Sequence, residues 1–244
     1  RGVAVRASGS SLGDLEGDAG GQFDGNGVAD LAYFPTRHLR LRADLFNRAA
    51  WQIKSRVEAK VFAVMPLAGL PAAHVADVYE DLARHANFDG LVFDDRLQAN
   101  GAWGADTTEL TRNLALRARA FRAPLQTVRT LNADAGTQSA QQFSAMAAAF
   151  DFIALKISPA ADSNPPVEAW KSALAFTPDA EARRKAVFML RNRPPAPPGI
   201  LARQMLHLQL GGFINFGYFP DDYLHDNPPL AEVAPAMSLR VYLP

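Results

Sequence analysis

Short apolar runs recur along the chain, separated by longer stretches in which apolar positions return every three or four residues. Eight runs have the length and composition of strands: GVAVRA (2–7), VADLAYF (28–34), AKVFAVMPL (59–67), FDGLVFDD (88–95), LQTVRTL (125–131), FDFIALKIS (150–158), KAVFMLRN (185–192) and GFINFGYF (212–219). Between them the spacing predicts helices. Leu45, Ala49, Ile53 and Val57 form one stripe, and Val75, Val78, Tyr79 and Leu82 form another. Asp106 and Glu109 make a capping box that opens a helix carrying Leu110, Leu114 and Phe121. Asn164 before Pro165 and Pro166 opens a stretch with Val167, Trp170 and Leu174, and Pro198 precedes Ile200, Leu201, Met205 and Leu208.

Strand and helix alternate at intervals of roughly 30 residues, the pattern of parallel strands joined by right-handed crossovers. An open doubly wound sheet and a closed barrel both satisfy it. No G-x-G-x-x-G follows any strand, and polar residues recur just after several strands, where a barrel gathers them at one mouth. The expectation is therefore an α/β fold, a TIM-like (β/α)8 barrel, with residues 1–244 as a single domain. The barrel is expected to be incomplete or to lack its first unit. GVAVRA is followed by a Gly- and Asp-rich loop over 8–27 instead of a helix, so the first two runs can be one broken unit.

Composition narrows the class. With 48% hydrophobic residues over 244 positions the chain can bury a full core. Formal charge is +0 and the pI about 7.2, which gives no field for nucleic acid or an anionic membrane. No apolar run is long enough to span a bilayer. There is no cysteine, which removes disulfides, thiolate metal sites and cysteine nucleophiles. The histidines show no metal-ligand spacing, and DGNGVAD (24–30), lacking a downstream glutamate, reads as a Gly-rich turn; no metal and no cofactor is expected. With Arg1 first and no leader-like segment, the chain reads as a mature or excised product.

The candidate chemistry lies after the strands. FDGLVFDDR (88–96) ends in adjacent carboxylates, and neighbours on a strand point to opposite faces, so Asp94 and Asp95 cannot both enter one core. Either they cap the loop or one meets a ligand. Asp221 and Asp222 follow the last strand, as a turn or as a second source of carboxylate. Arg37 and His38, Asn132, Lys156 and Arg191 follow or end other strands. Tyr33 and Tyr218 can stack on a ligand or pack in core or rim.

Three blocks carry a resemblance: DGNGVADLAYFPTRHLRLRADLFNRAAWQI (24–53), FDGLVFDD (88–95) and FGYFPDDYLHDNPP (216–229). They resemble the C-terminal, glycoside-hydrolase-like barrel of PgaB-type proteins, the periplasmic poly-β-1,6-N-acetylglucosamine deacetylases of biofilm export. The resemblance implies binding and hydrolysis of a partly deacetylated polymer of this type, a periplasmic or exported location, and other exopolysaccharide export proteins as partners. It implies no deacetylation here, since that activity belongs to a separate N-terminal metal domain. It makes Asp95, Asp94 and Asp222 the catalytic candidates, and Tyr33, Arg37, His38, Asn132, Lys156, Arg191, Tyr218 and Asp221 the substrate-binding ones. By ungapped match Asp95 keeps the first family aspartate and Arg96 replaces the second, and Lys156, Arg191 and Arg193 add cations where the family has none. Glycoside hydrolysis ordinarily needs two carboxyl groups about 5 to 10 Å apart, so the partner of Asp95 is sought at 221–222. A barrel that only binds and guides the polymer, and a periplasmic scaffold, are the alternatives.

Overall fold

A computed structural model describes residues 2–6, 31–32, 40–41, 45–56, 59–64, 76, 79–80, 83–84, 87–93, 107–132, 140–157, 179–191, 199–219, 226 and 228–237. The chain falls into two compact units, residues 1–129 with 149–151, and residues 130–148 with 152–244. Every strand pairing described below is parallel.

The first unit contains β1 (Gly2–Arg6), β2 (Leu31–Ala32), β3 (Arg40–Leu41), α1 (Leu45–Arg56), β4 (Lys60–Val64), β5 (Gly90–Phe93), α2 (Thr107–Phe121) and β6 (Gln126–Asn132), whose residues after Arg129 pass into the second unit. β1 pairs β4, β4 pairs β5 and β5 pairs β6. The run at 28–34 was expected to be a strand of this series. Its described part, β2, instead forms a two-residue ladder with β3, and β1 lies directly against β4, in keeping with one broken first unit.

Helix α2 shows why the sequence folds this way. Thr111, Leu114, Ala115 and Ala118, at i, i+3, i+4 and i+7, are buried, while Arg112, Asn113, Leu116 and Arg117 face water. Arg122, Ala123 and Pro124 then end the helix, since proline has no N–H to continue it. Between β4 and β5, helical residues at 79–80 and 83–84 bury Tyr79 and Ala83, in line with the stripe expected there.

Phe-Asp precedes two strands, at 88–89 and at 150–151, both within the first unit, and in both the aspartate does the same work. The Asp89 carboxylate accepts from the Val61 amide at 2.8 Å and from Lys54 Nζ at 2.8 Å, while its own N–H donates to the Val61 carbonyl. The Asp151 carboxylate accepts from the Thr127 amide at 2.7 Å and from Arg119, and its N–H donates to the Thr127 carbonyl. Each aspartate thus closes the start of the neighbouring strand and ties it to the preceding helix, α1 or α2. Phe88 and Phe150 are buried beside them. Burial pushes the Asp89 carboxyl up, but the hydrogen bond from Lys54, the Val61 amide and the charges of Lys54 and Lys60 outweigh it and leave it below the ordinary carboxylate value.

Gly90, between these clamps and the core, answers a close approach. A Cβ there would stand 2.4 Å from the Phe62 ring and 2.6 Å from the Gln126 carbonyl oxygen.

The second unit holds α3 (Ala140–Ala149), β7 (Phe152–Ile157), α4 (Ala180–Lys185), β8 (Ala186–Arg191), α5 (Ile200–Leu210), β9 (Phe216–Phe219) and α6 (Leu230–Met237). β7 pairs β8 and β8 pairs β9. One sheet face, Ile153, Leu155 and Ile157 with Ala186, Phe188 and Leu190, is buried throughout. Helix α5 buries Leu201, Gln204, Met205 and Leu208, again at i, i+3, i+4 and i+7, and Phe213 packs edge-on against Phe188 at 4.8 Å. Gly212, at φ 82°, lets the chain leave α5 by a Schellman turn in which Phe213 N–H reaches the Leu208 carbonyl.

Helices α3, α4 and α6 were not foreseen. The alanine-rich α3 carries a weak stripe, and α4 buries no residue, so no apolar period marks it; its signal is the Asp179 carboxylate capping the Ala182 amide at 2.7 Å. The helix expected after Asn164 lies outside the described residues. No described helix is long and apolar enough to cross a membrane.

Candidate functional site

Parallel strands end on the same side of their sheet, and in α/β barrels chemistry gathers at those ends. In the second unit, Lys156 is the penultimate residue of β7, Arg191 ends β8 and Phe219 ends β9. Register decides which side chains share a face. Lys156 is opposite Met189, Met189 is opposite Gly217, and Arg191 is opposite Phe219, so Lys156, Met189, Arg191 and Phe219 stand together on the face away from the buried one. All four are half-buried.

Phe219 is flanked by both cations. Lys156 Nζ lies 5.8 Å from its ring centroid and the Arg191 guanidinium carbon 5.5 Å from it. Both are within cation–π range, which orients long side chains that would otherwise range freely. Met189 adds a polarizable apolar neighbour, its sulfur 3.5 Å from where a Cβ on Gly217 would stand. The result is an aromatic surface edged by groups that only donate hydrogen bonds. Such a surface suits a sugar ring with oxygen acceptors at its edge, and it repels an ammonium group.

Of the expected site residues, Lys156 and Arg191 are brought together here. Tyr218 is not with them: one position along the strand, it is the register partner of Leu190 and shares the opposite face. Phe219 takes the aromatic position foreseen for it, because a shift of one residue reverses the face. Asn132 is the last residue of β6. Asp94, Asp95, Asp221, Asp222, Tyr33, Arg37 and His38 lie outside the described residues, as does Arg96. Among the described residues no group of three or more histidine, aspartate or glutamate side chains is placed to hold a metal ion.

One further residue was passed over in the sequence. Arg129, in the run LQTVRTL, is completely buried in β6, and its Nη1 donates to the Phe93 carbonyl at 3.2 Å. The signal was an arginine inside an otherwise apolar strand run.

Residues 18–73 match the family model described as hypothetical glycosyl hydrolase family 13. The poly-beta-1,6-N-acetyl-D-glucosamine N-deacetylases of Escherichia coli strain K12 and of Escherichia coli O157:H7 are each 25% identical over 309 aligned positions, covering 90% of this chain and 46% of theirs. The chain therefore spans less than half the length of these relatives. Among solved structures, the catalytic domain of a family GH18 chitinase from the fern Peteris ryukyuensis superposes with a TM-score of 0.56 over 79% of either chain, at 12% identity, a likeness of fold alone. The fold is of the α/β barrel class. These matches support the resemblance carried by the three sequence blocks: the chain is similar to PgaB-type, glycoside-hydrolase-like proteins.

Proposed function

We propose that this domain binds a poly-β-1,6-N-acetylglucosamine-type exopolysaccharide along its strand ends and hydrolyses it, in a periplasmic or exported setting beside other export proteins. The observation that carries the binding half is Phe219 between Lys156 and Arg191 at the ends of parallel strands, on a fold shared with glycoside hydrolases. Hydrolysis is assigned to Asp95, with Asp94 and Asp222 as the other carboxylates. Tyr33, Arg37, His38, Asn132 and Asp221 are proposed to contact the polymer.

A binding-only reading has its own support, because Lys156 and Arg191 supply donors and no proton-transfer group. One incubation separates the two. The chain is mixed with partly deacetylated polymer, products are read by mass spectrometry, and binding is followed by calorimetry. Release of oligosaccharides that disappears in Asp95→Asn supports hydrolysis. Binding without release leaves the guiding role, and neither binding nor release rejects both.

The flanking cations also set a preference within the polymer. Acetylated stretches should bind better than fully deacetylated, cationic ones, and moderate salt should not abolish binding, since the contact is stacking and hydrogen bonding more than charge. Tight binding of the cationic oligomer that collapses with salt would contradict this.

A further inference from the structure

The described carboxylates of the second unit are engaged at helix starts. Asp179 caps α4 through the Ala182 amide, and Glu181 lies in the first turn of that helix. Asp226 accepts from the Leu230 amide at 3.1 Å where α6 opens, and Glu232 accepts from the Gly199 amide just ahead of α5. The cations at the strand ends are differently placed. Arg191 stands directly opposite Phe219 in register, is half-buried, and has its guanidinium carbon 5.5 Å from the ring centroid. Contact with a π face does not fill a guanidinium's hydrogen-bonding capacity, and among the described residues no acceptor takes any of its five N–H donors. A rigid fork of this kind matches a planar carboxylate in two parallel charge-assisted bonds, whereas a neutral amide or hydroxyl oxygen fills it only in part. Lys156 Nζ, 5.8 Å from the same centroid, brings a second positive charge to the ring. Partial burial keeps both fields from being fully screened.

We infer that the strand-end site selects sugar units carrying a carboxylate, with Arg191 as the specificity residue that takes the two acid oxygens and Lys156 as the source of the second charge. This selectivity rests on the polymer-binding reading above and deepens it: among polymers of the amino-sugar type, the order of preference is acidic, then N-acetylated, then deacetylated. The carboxylate belongs either to an acyl substituent or to a uronate unit, which present the same pair of oxygens.

The test compares oligosaccharides of similar length by calorimetry on the full chain. A deacetylated β-1,6-linked glucosamine oligomer is acylated with acetic anhydride to give a neutral ligand and with succinic anhydride to give an acidic one. An oligomer alternating glucuronate with N-acetylglucosamine represents the uronate source. At least one acidic ligand is expected to bind about tenfold more tightly than the N-acetylated one, and that advantage should shrink as salt is added. Whichever acidic ligand gains identifies the source of the carboxylate. Arg191→Gln should bring the acid-to-neutral ratio to about one, and Arg191→Lys should keep part of it. A merely structural arginine would weaken both ligands alike and leave the ratio unchanged. Equal affinity for acidic and neutral ligands, or a ratio that survives in Arg191→Gln, overturns the inference and leaves polymer binding standing. Binding of an acidic ligand alone supports the inference and rejects the N-acetylated polymer as the ligand. If no oligosaccharide binds, the polymer-binding reading fails and the selectivity falls with it. If Arg191→Gln does not fold, the same ratio is read in Arg191→Lys and in Lys156→Gln, and an undiminished ratio in both overturns the inference.

Discussion

In the first unit two carboxylates set just before strands, Asp89 and Asp151, each pin a neighbouring strand to its helix; in the second, two cations near the ends of strands, Lys156 and Arg191, stand around an aromatic ring. Asp89 and Asp151 each take a backbone amide and a helix cation, so their geometry is consumed by the fold. The start of β9 shows the second unit managing without such a charge. There Asn215 donates to the Arg184 carbonyl at 2.8 Å and accepts the Phe188 amide through its own carbonyl at 3.0 Å. Lys156 and Arg191 leave Phe219 half-exposed between them, an arrangement that adds little to stability and leaves a surface for a ligand. The charges of Asp89 and Asp151 are thus used by the architecture, while those of Lys156 and Arg191 border a half-exposed ring.

The largest effect should come from the packing behind the first clamp. Gly90→Ala drives a Cβ into the Phe62 ring and the Gln126 carbonyl, and should cost about 3 kcal/mol in chemical denaturation. A loss under half that size would mean that the Phe62 ring swings aside freely.

Next comes Asp151→Ala, which strips acceptors from the Thr127 amide and from Arg119 and should cost about 2 kcal/mol. If urea unfolding of this variant matches the wild type, the clamp is not structural and the contrast between the units fails.

Asp89 gives a pH signature. Its carboxyl lies below the ordinary value of 3.8 when folded, so its contribution is fully present above that value and is lost as pH falls through the still lower folded value. Asp89→Asn should cost about 1 kcal/mol at pH 7, and the difference from wild type should shrink when melting is followed below pH 4. A difference that is constant with pH would show that the ionised form is not what the fold uses.

The smallest effect on stability is expected at the other end. Lys156→Ala and Arg191→Ala should each change stability by about 0.5 kcal/mol or less, as surface substitutions do, while Phe219→Ala weakens polymer binding by roughly tenfold. If instead the cations prove essential to folding and irrelevant to binding, Phe219 is core rim and the strand-end site falls.

Much of this contrast was legible in the chain. Seven of the eight strand-like runs contain the strands β1 and β4–β9, and α1, α2 and α5 lie where the apolar stripes put them. Phe-Asp at 88–89 and 150–151 was visible too, but nothing local separates a clamping aspartate from a catalytic one. That depends on which amide and which cation a distant helix brings. The run at 28–34 has strand composition, and yet its described part, Leu31–Ala32, pairs with Arg40–Leu41 while β1 lies against β4.

By itself the sequence determined the order of elements, their parallel α/β character and the family resemblance, since periods of two and of 3.6, turn residues and local blocks are properties of neighbouring residues. Only the tertiary structure decided the fate of like residues on unlike strands. Arg129 and Arg191 both stand in apolar strand runs, yet one is sealed beneath the Phe93 carbonyl and the other borders Phe219. Tyr218 and Phe219 are adjacent in the chain and face opposite ways. Register across a sheet is set by strands dozens of residues apart, and a shift of one position exchanges the two faces.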